Sequence, residues 1–295
     1  MNEIVALFGR LATAMVTPFD QQLQIDFEKT ERLIDHLLST GTDALVVSGT
    51  TGESPTLSAE EKLALFRHVV QYVNGRCKVI AGTGSNDTAS SIAFTQAAEA
   101  TGVDAVMFVA PYYSRTSQEG LYQHFKALAE STRLPVMLYN VPGRTAVNMT
   151  AETTLRLAKL PNVVCVKEAS GNLSQIAKII EHAPEGFEVY SGDDGLTLPV
   201  LSIGGVGVVS VASHIVGAQM QEMIRAFFAG KMDAAAALHR KLLPVFEGLF
   251  AFPSPVPTKT ALEKMGVAVG GVRLPLVPPS DEERAFIHSL LSDNV

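Results

Sequence analysis

The sequence predicts a (β/α)8 barrel of the TIM class with a C-terminal helical extension. Three observations carry that expectation. Eight short β-rich runs alternate with amphipathic stretches, the runs are apolar almost throughout, and no strand-like run follows Gly230 in a chain of 295 residues. Strands that are apolar on both faces belong to parallel sheets covered by helices. An open, doubly wound sheet fits less well, because no GxGxxG turn follows the first run.

In order, the strand runs are LATAMVTPF, ALVVSGT, CKVIAGTG, AVMFVAPYY, PVMLYNVP, VVCVKEAS, EVYSGDD and GVGVVSVAS. The stretches between them have helical spacing. In SAEEKLALFRHVVQYV, Leu63, Phe66, Val69, Val70 and Val73 recur on one face, and Ser58 with Glu61 forms a candidate capping box. Gly195 to Gln221 carries no Asp, Glu, Lys or Arg. Pro199, Gly204, Gly205, Gly207 and His214 interrupt it, so it reads as a helix, a glycine turn and a buried strand rather than a membrane span. After Gly230 the segments KMDAAAALHRKLLPVFEGLFAF, TKTALEKMG and SDEERAFIHSLL read as helices joined by Pro-rich links. The expected division is a catalytic barrel over residues 1–230 and a helical domain over 231–295, with Phe246, Leu249 and Phe250 burying one helical face.

Composition narrows the function. The hydrophobic fraction of 47% and charged fraction of 18% are those of a globular protein. A net charge of −7 without a Lys/Arg cluster argues against a nucleic-acid surface, though a few local cations can still dominate a pocket for an anionic small molecule. Cys77 and Cys165 each open or sit within a strand run, a pattern of small buried thiols that fits a reducing, cytoplasmic compartment. The first ten residues, MNEIVALFGR, have an early acid and only a short apolar patch, so no signal peptide is expected. The histidines, His36, His68, His124, His182, His214, His239 and His288, form no metal-ligand spacing and read as helix-surface or loop residues. No metal and no cofactor are expected.

Catalytic residues of such barrels project from the C-terminal ends of the strands. Those ends carry Thr17, Thr50-Thr51-Gly52-Glu53, Gly82-Thr83-Gly84, Tyr112-Tyr113, Tyr139-Asn140, Lys167, Asp193-Asp194 and Ser210. Polar turns account for the threonines, glycines and aspartates. They account less well for the tyrosines, and least for Lys167, which ends an unbroken apolar run. Strand alternation puts Cys165 and Lys167 on one face and Glu168 on the other, so an ion pair between Lys167 and Glu168 is disfavoured. If Cys165 faces the barrel interior, Lys167 faces the mouth, and Met137 and Tyr139 point together on the preceding strand. A lysine stripped of water favours the neutral amine, which can attack a ketone to form an imine; a nearby phenol can move the protons. Arg144, in YNVPGRT, is either a bidentate carboxylate ligand or a solvated loop arginine. The glycine-rich pieces GTGSND and GGVGVVS could cradle an anion, but tight turns explain them equally well.

Taken together, GTTGESPTLS, PYYSRTSQEGLYQHF, LYNVPGRT and VVCVKEASGN, in that order and spacing, resemble the 4-hydroxy-tetrahydrodipicolinate (dihydrodipicolinate) synthase family of the pyruvate-dependent class I aldolase group. The likeness runs from about Gly9 to Gly230 and more weakly beyond. GTTGE with YNVPGRT favours that branch over N-acetylneuraminate lyase. Arg144 argues against neuraminate or keto-deoxy-sugar lyases, whose substrates need hydroxyl partners more than a second cationic clamp. Lys167 with Tyr139 argues against a non-catalytic keto-acid sensor. The resemblance implies a carbon–oxygen lyase condensing pyruvate with L-aspartate 4-semialdehyde on the diaminopimelate route to lysine. It implies that Lys167 forms the Schiff base and Tyr139 is the general acid/base, with Thr50 and Tyr113 completing a proton relay. It also implies that Thr51 and the backbone at Val209 hold the pyruvate carboxylate and that Arg144 receives the semialdehyde's. The relay tyrosine crosses from a neighbouring subunit in the family, so Tyr113 implies a homo-oligomer, a homotetramer built as a dimer of dimers. One departure stands out. Family members inhibited by lysine carry two histidines where this chain has Ala59 and Lys62, although Asn86 and Tyr112 remain. A cation at position 62 would repel a lysine ε-ammonium, so weak or absent inhibition by lysine is expected.

Overall fold

The computed structural model describes residues 6–294, so Met1–Val5, half of the stretch read for a signal peptide, lies outside the described residues. Eight parallel strands close into a barrel in sequence order: β1 (Leu11–Ala14), β2 (Ala44–Val47), β3 (Lys78–Gly82), β4 (Ala105–Val109), β5 (Val136–Asn140), β6 (Val163–Glu168), β7 (Glu188–Ser191) and β8 (Gly207–Ser210). Parallel pairing of β8 with β1, Val209 opposite Ala12, completes the ring. All eight sequence runs contain the strand expected of them.

Both faces of each strand are buried, for different reasons. Ala12, Ala14, Val46, Ile80, Met107, Met137, Tyr139, Cys165, Tyr190 and Val209 fill the barrel interior with Phe8. Leu11, Leu45, Val47, Val79, Val106, Phe108, Leu138 and Val166 belong to the outer layer, packed under helices. This two-sided burial is why the runs look continuously apolar rather than alternating. Cys165, Lys167, Met137 and Tyr139 take the faces that strand alternation assigns them.

The helices are α1 (Phe27–Ser39), α2 (Ala59–Val73), α3 (Thr88–Glu99), α4 (Gln118–Glu130), α5 (Pro142–Thr145), α6 (Ala151–Leu157), α7 (Leu173–His182), α8 (Thr197–Ser202), α9 (Ser213–Phe228), α10 (Met232–Gly248), α11 (Val256–Lys264) and α12 (Asp281–Asn294). At the start of α2 the capping box is complete: Glu61 N–H donates to Ser58 Oγ at 3.2 Å and Ser58 N–H to Glu61 Oε2 at 2.8 Å. Leu65, Phe66, Val69 and Val73 of this helix are buried, with Leu63 and Val70 at the edge of the core. The uncharged stretch from Gly195 resolves into a short turn, α8, the Gly204–Gly205 bend, β8 and the start of α9. Among the described residues no helix is long and apolar enough to cross a membrane.

The extension is helical, with α10 packed on α9 and α12 on α10 and α11. Phe246 and Leu249 are buried, but Phe250 is 44% exposed, against expectation. Leu249 is the C-cap of α10, so Phe250 leaves the helix and its apolar stripe. The histidines also need correction. His214 is fully buried, its Nδ1 at 2.8 Å from the Val211 carbonyl and its Nε2 accepting from Val16 N–H at 3.2 Å. Those partners require the neutral ring protonated at Nδ1, and burial pushes its pKa down to about 4. His124, also buried, pairs its Nδ1 with Thr88 Oγ1 at 2.8 Å.

Candidate active site

Lys167, the last residue but one of β6, is 5% exposed, although lysine is among the residues least often buried. Its register partner on β5 is Tyr139, itself 4% exposed, and Lys167 Nζ lies 4.2 Å from the centroid of the Tyr139 ring. Parallel strands place such residues side by side at one rim, so the pairing follows directly from the register. Glu168, the next residue, turns to the outer layer and accepts from Asn140 Nδ2 (3.1 Å), Gln175 Nε2 (3.1 Å) and Ser170 N–H (2.8 Å). Asn140 is the register partner of Glu168. The outward-facing pair therefore ties β5 to β6 behind the inward-facing pair.

A cavity of about 730 Å³ opens over Lys167 and Tyr139, with Thr50, Thr51, Arg144 and Gly192 in its wall. Its far side comes from the extension, through Leu243, Phe246, Glu247 and Phe250. The exposure of Phe250 is thus exposure at the mouth of this cavity. A smaller cavity of about 280 Å³ shares Thr50, Tyr139 and Arg144 and continues towards Ser48, Lys62 and Tyr112.

Of the residues singled out in the sequence, Lys167, Tyr139, Thr50, Thr51 and Arg144 come together around one cavity. Arg144 is exposed on α5, its guanidinium available to an anion entering from solvent. Val209 lies in the barrel interior and is not in the cavity's lining, which takes in Val211, one residue past the end of β8. Tyr113 is not brought to the cavity by its own chain: it is 87% exposed, at φ +79°. Its neighbour Tyr112 lines the smaller cavity instead, together with Lys62, whose ammonium pKa is lowered by burial. Asn86 and Ala59 are exposed outside that lining.

Two contributors were not legible in the sequence. Gly192 packs on the lysine stem, where a Cβ would sit 3.1 Å from Lys167 Cγ and 3.2 Å from Cε. A glycine at the end of a strand run is the one hint, shared with many turns. Asp194, fully buried, accepts from Val211 and Ala212 N–H at 3.1 and 2.9 Å and so braces the end of β8. Burial raises its carboxyl pKa. Among the described residues no three His, Cys, Asp or Glu side chains gather where a metal ion could be held.

A closed parallel barrel with a buried lysine and a tyrosine paired at one rim, facing a shared cavity, fits a class: lyases that work through a lysine imine. The chain belongs to the dihydrodipicolinate synthetase family, whose model matches residues 7–294. It is 61% identical over 287 residues to the 4-hydroxy-tetrahydrodipicolinate synthase of Bacillus subtilis (strain 168), covering 97% of this chain and 99% of that one. It is 62% identical over 276 residues to 4-hydroxy-tetrahydrodipicolinate synthase 1 of Halalkalibacterium halodurans, covering 94% of each. The crystal structure of a dihydrodipicolinate synthase from Bacillus anthracis superposes with a TM-score of 0.96 at 56% identity, over 97% of this chain and 98% of that one. Another, from Cyanidioschyzon merolae with lysine bound, gives 0.96 at 45% identity, over 98% and 99%.

Proposed function

We infer that this protein is a 4-hydroxy-tetrahydrodipicolinate synthase, condensing pyruvate with L-aspartate 4-semialdehyde on the diaminopimelate route to lysine. One observation carries the chemistry: a buried lysine amine lies against a buried tyrosine in a cavity large enough for both substrates. Lys167 Nζ attacks C2 of pyruvate, and loss of water leaves an imine. The protonated imine draws electrons from C3; removal of a C3 proton gives an enamine. The enamine carbon adds to the aldehyde carbon of the semialdehyde, and the aldehyde oxygen takes up a proton. The semialdehyde's amine then displaces Lys167 and closes the ring. Each proton transfer is assigned to Tyr139, with Thr50 as its link to solvent or to a further phenol.

Thr51 and the backbone at Val209 are assigned to the pyruvate carboxylate, and Arg144 to the semialdehyde carboxylate, which a planar guanidinium grips bidentately. Tyr113 is assigned to the relay of a neighbouring subunit. Its 87% exposure and left-handed backbone suit a side chain held out towards a second copy. That makes a homo-oligomer the working form, proposed as a homotetramer in the cytoplasm. Residues 1–230 are taken as the catalytic barrel and 231–295 as a helical unit that walls the cavity. The test is reduction with borohydride in the presence of pyruvate. The Lys167 peptide gains the mass of reduced pyruvate, and Lys167→Ala gains none; absence of the adduct in the unaltered protein refutes the assignment.

A further inference from the structure

The turn that carries Thr50 and Thr51 is fixed from a part of the chain more than 200 residues away. Glu53 closes it: its N–H donates to Thr50 O at 3.1 Å, and Gly52 and Ser54 N–H donate to Gly49 O at 3.1 and 3.3 Å. Glu53 itself holds a left-handed backbone, φ +55°, a conformation that costs energy for any residue with a Cβ. Its carboxylate points inward, with the side chain only 1% exposed. A carboxylate so placed would pull the turn apart to reach water unless it were compensated where it lies.

Two residues beyond the barrel compensate it. Lys259 Nζ, on α11, sits 2.6 Å from Glu53 Oε1 with its own side chain 3% exposed. Arg273 N–H donates to Glu53 Oε2 at 2.9 Å. Lys259 Nζ is fixed in turn by donating to Gly271 O at 2.7 Å and by standing 4.2 Å from the Phe19 ring centroid. The Arg273 guanidinium donates to Leu23 O, to Thr56 O at 2.8 Å and to both oxygens of Glu61 at 2.6 and 3.0 Å. These contacts hold the segment that follows the turn, from Thr56 to Glu61 at the start of α2, against the loop at Leu23. Burial depresses the Lys259 ammonium to about 8 despite the adjacent carboxylate. A buried pair of this kind is weak evidence for stability in itself, because desolvation offsets its attraction; its value lies in fixing a geometry.

We propose that Lys259 and Arg273 are positioning residues for the reaction: through Glu53 they hold the Thr50–Thr51 turn against the Lys167 cavity, so the helical extension completes the pyruvate site. This rests on the assignment of Thr50 and Thr51 to the pyruvate half-reaction given above.

The test uses the full-length protein with Lys259→Met and, because that change strands a buried charge, the milder Glu53→Gln, which keeps an acceptor for Arg273 N–H. Two readouts are taken well below the melting temperature. Amide hydrogen exchange at Gly52, Glu53 and Ser54 is expected to rise about tenfold or more, with β8 unchanged. The KM for pyruvate is expected to rise about tenfold while that for the semialdehyde stays within about twofold. A purely structural role would lower the melting temperature and leave the pyruvate KM where it was, and that result overturns the proposal. Unchanged exchange in the turn overturns it as well. Should Lys259→Met fail to fold, Glu53→Gln decides by the same criteria. If the unaltered protein forms no pyruvate adduct, the assigned function fails, and the exchange measurement still accepts or rejects the latch.

Discussion

Gly192→Ala is the smallest change that should disable the site without touching a reacting group. Gly192 has an ordinary negative or extended backbone, so alanine meets no conformational penalty there. The obstacle is space. The new methyl would lie 2.8 Å from Ala169 Cβ, 3.1 Å from Lys167 Cγ and 3.2 Å from Lys167 Cε. Carbon atoms pack best at about 3.5–4.0 Å, so the lysine stem is crowded at two points by roughly half an ångström and Ala169 Cβ by about one, which pushes the ends of β6 and β7 apart as well. Overpacking of this size costs about 1–3 kcal/mol, which a stable domain survives. The catalytic cost is larger. The stem carries Nζ at its end, so a shift at Cγ and Cε moves the nucleophile by up to ~1 Å, and a misplacement of that order is worth up to about 10²-fold. The rate of borohydride trapping with pyruvate should therefore fall about 10- to 100-fold, with a melting curve that remains cooperative. Gly143→Ala serves as the control, since Gly143 also lines the cavity but a Cβ there meets nothing within 4 Å. A Gly192→Ala protein that traps pyruvate within about twofold of the unaltered rate would refute this reasoning.

Three further expectations follow from the same geometry. Tyr139→Phe keeps the ring against Lys167 and removes only the hydroxyl. Its kcat should drop about 10²- to 10⁴-fold in steady-state assays with little change in the pyruvate KM, and a drop under about tenfold would displace Tyr139 as the proton carrier. His214 has its pKa depressed from 6.5 to about 4 in the folded state, so its neutral form contributes stability that is present above pH 6.5 and lost as pH falls towards 4. That difference is worth about 3 kcal/mol at most. Asp194, raised by burial, acts in the opposite sense, so urea midpoints at neutral and acid pH should be compared with those of His214→Gln, and equal acid sensitivity in the two would count against it. Finally, Lys62 lines the smaller cavity beside Tyr112, and an ammonium there should keep a lysine ligand out; clear inhibition at sub-millimolar lysine would contradict this.

How far the sequence could be read depended on the range of the forces involved. Strands buried on both faces announce themselves locally, and strand alternation carried Cys165, Lys167, Met137 and Tyr139 to their correct faces with no tertiary information. The same periodic reasoning failed two residues past the end of α10. Phe250 looks like the continuation of the Phe246–Leu249 stripe, yet helical phase lapses at the C-cap and the ring turns to the cavity mouth. His214 was misplaced for a related reason: the Val211 carbonyl is local, but the Val16 N–H that lets a neutral ring be buried comes from 198 residues away and is brought there by closure of the barrel.

Least legible were the charges that hold the site from a distance. In TKTALEKMG the lysine at 259 looks like any solvated helix cation, and Glu53 looks like one more polar residue of a turn. Neither residue says that the other exists, because a side chain of either kind is ordinarily kept in water. Only the return of the extension across the β2 end of the barrel buries both at once, and a polar turn then becomes a fixed wall of the cavity. Thr50 and Thr51, singled out through the family resemblance of their motif, are on this proposal positioned by remote sequence. Substitutions in α11 or around Arg273, far from Lys167 along the chain, should change pyruvate binding before they change the barrel.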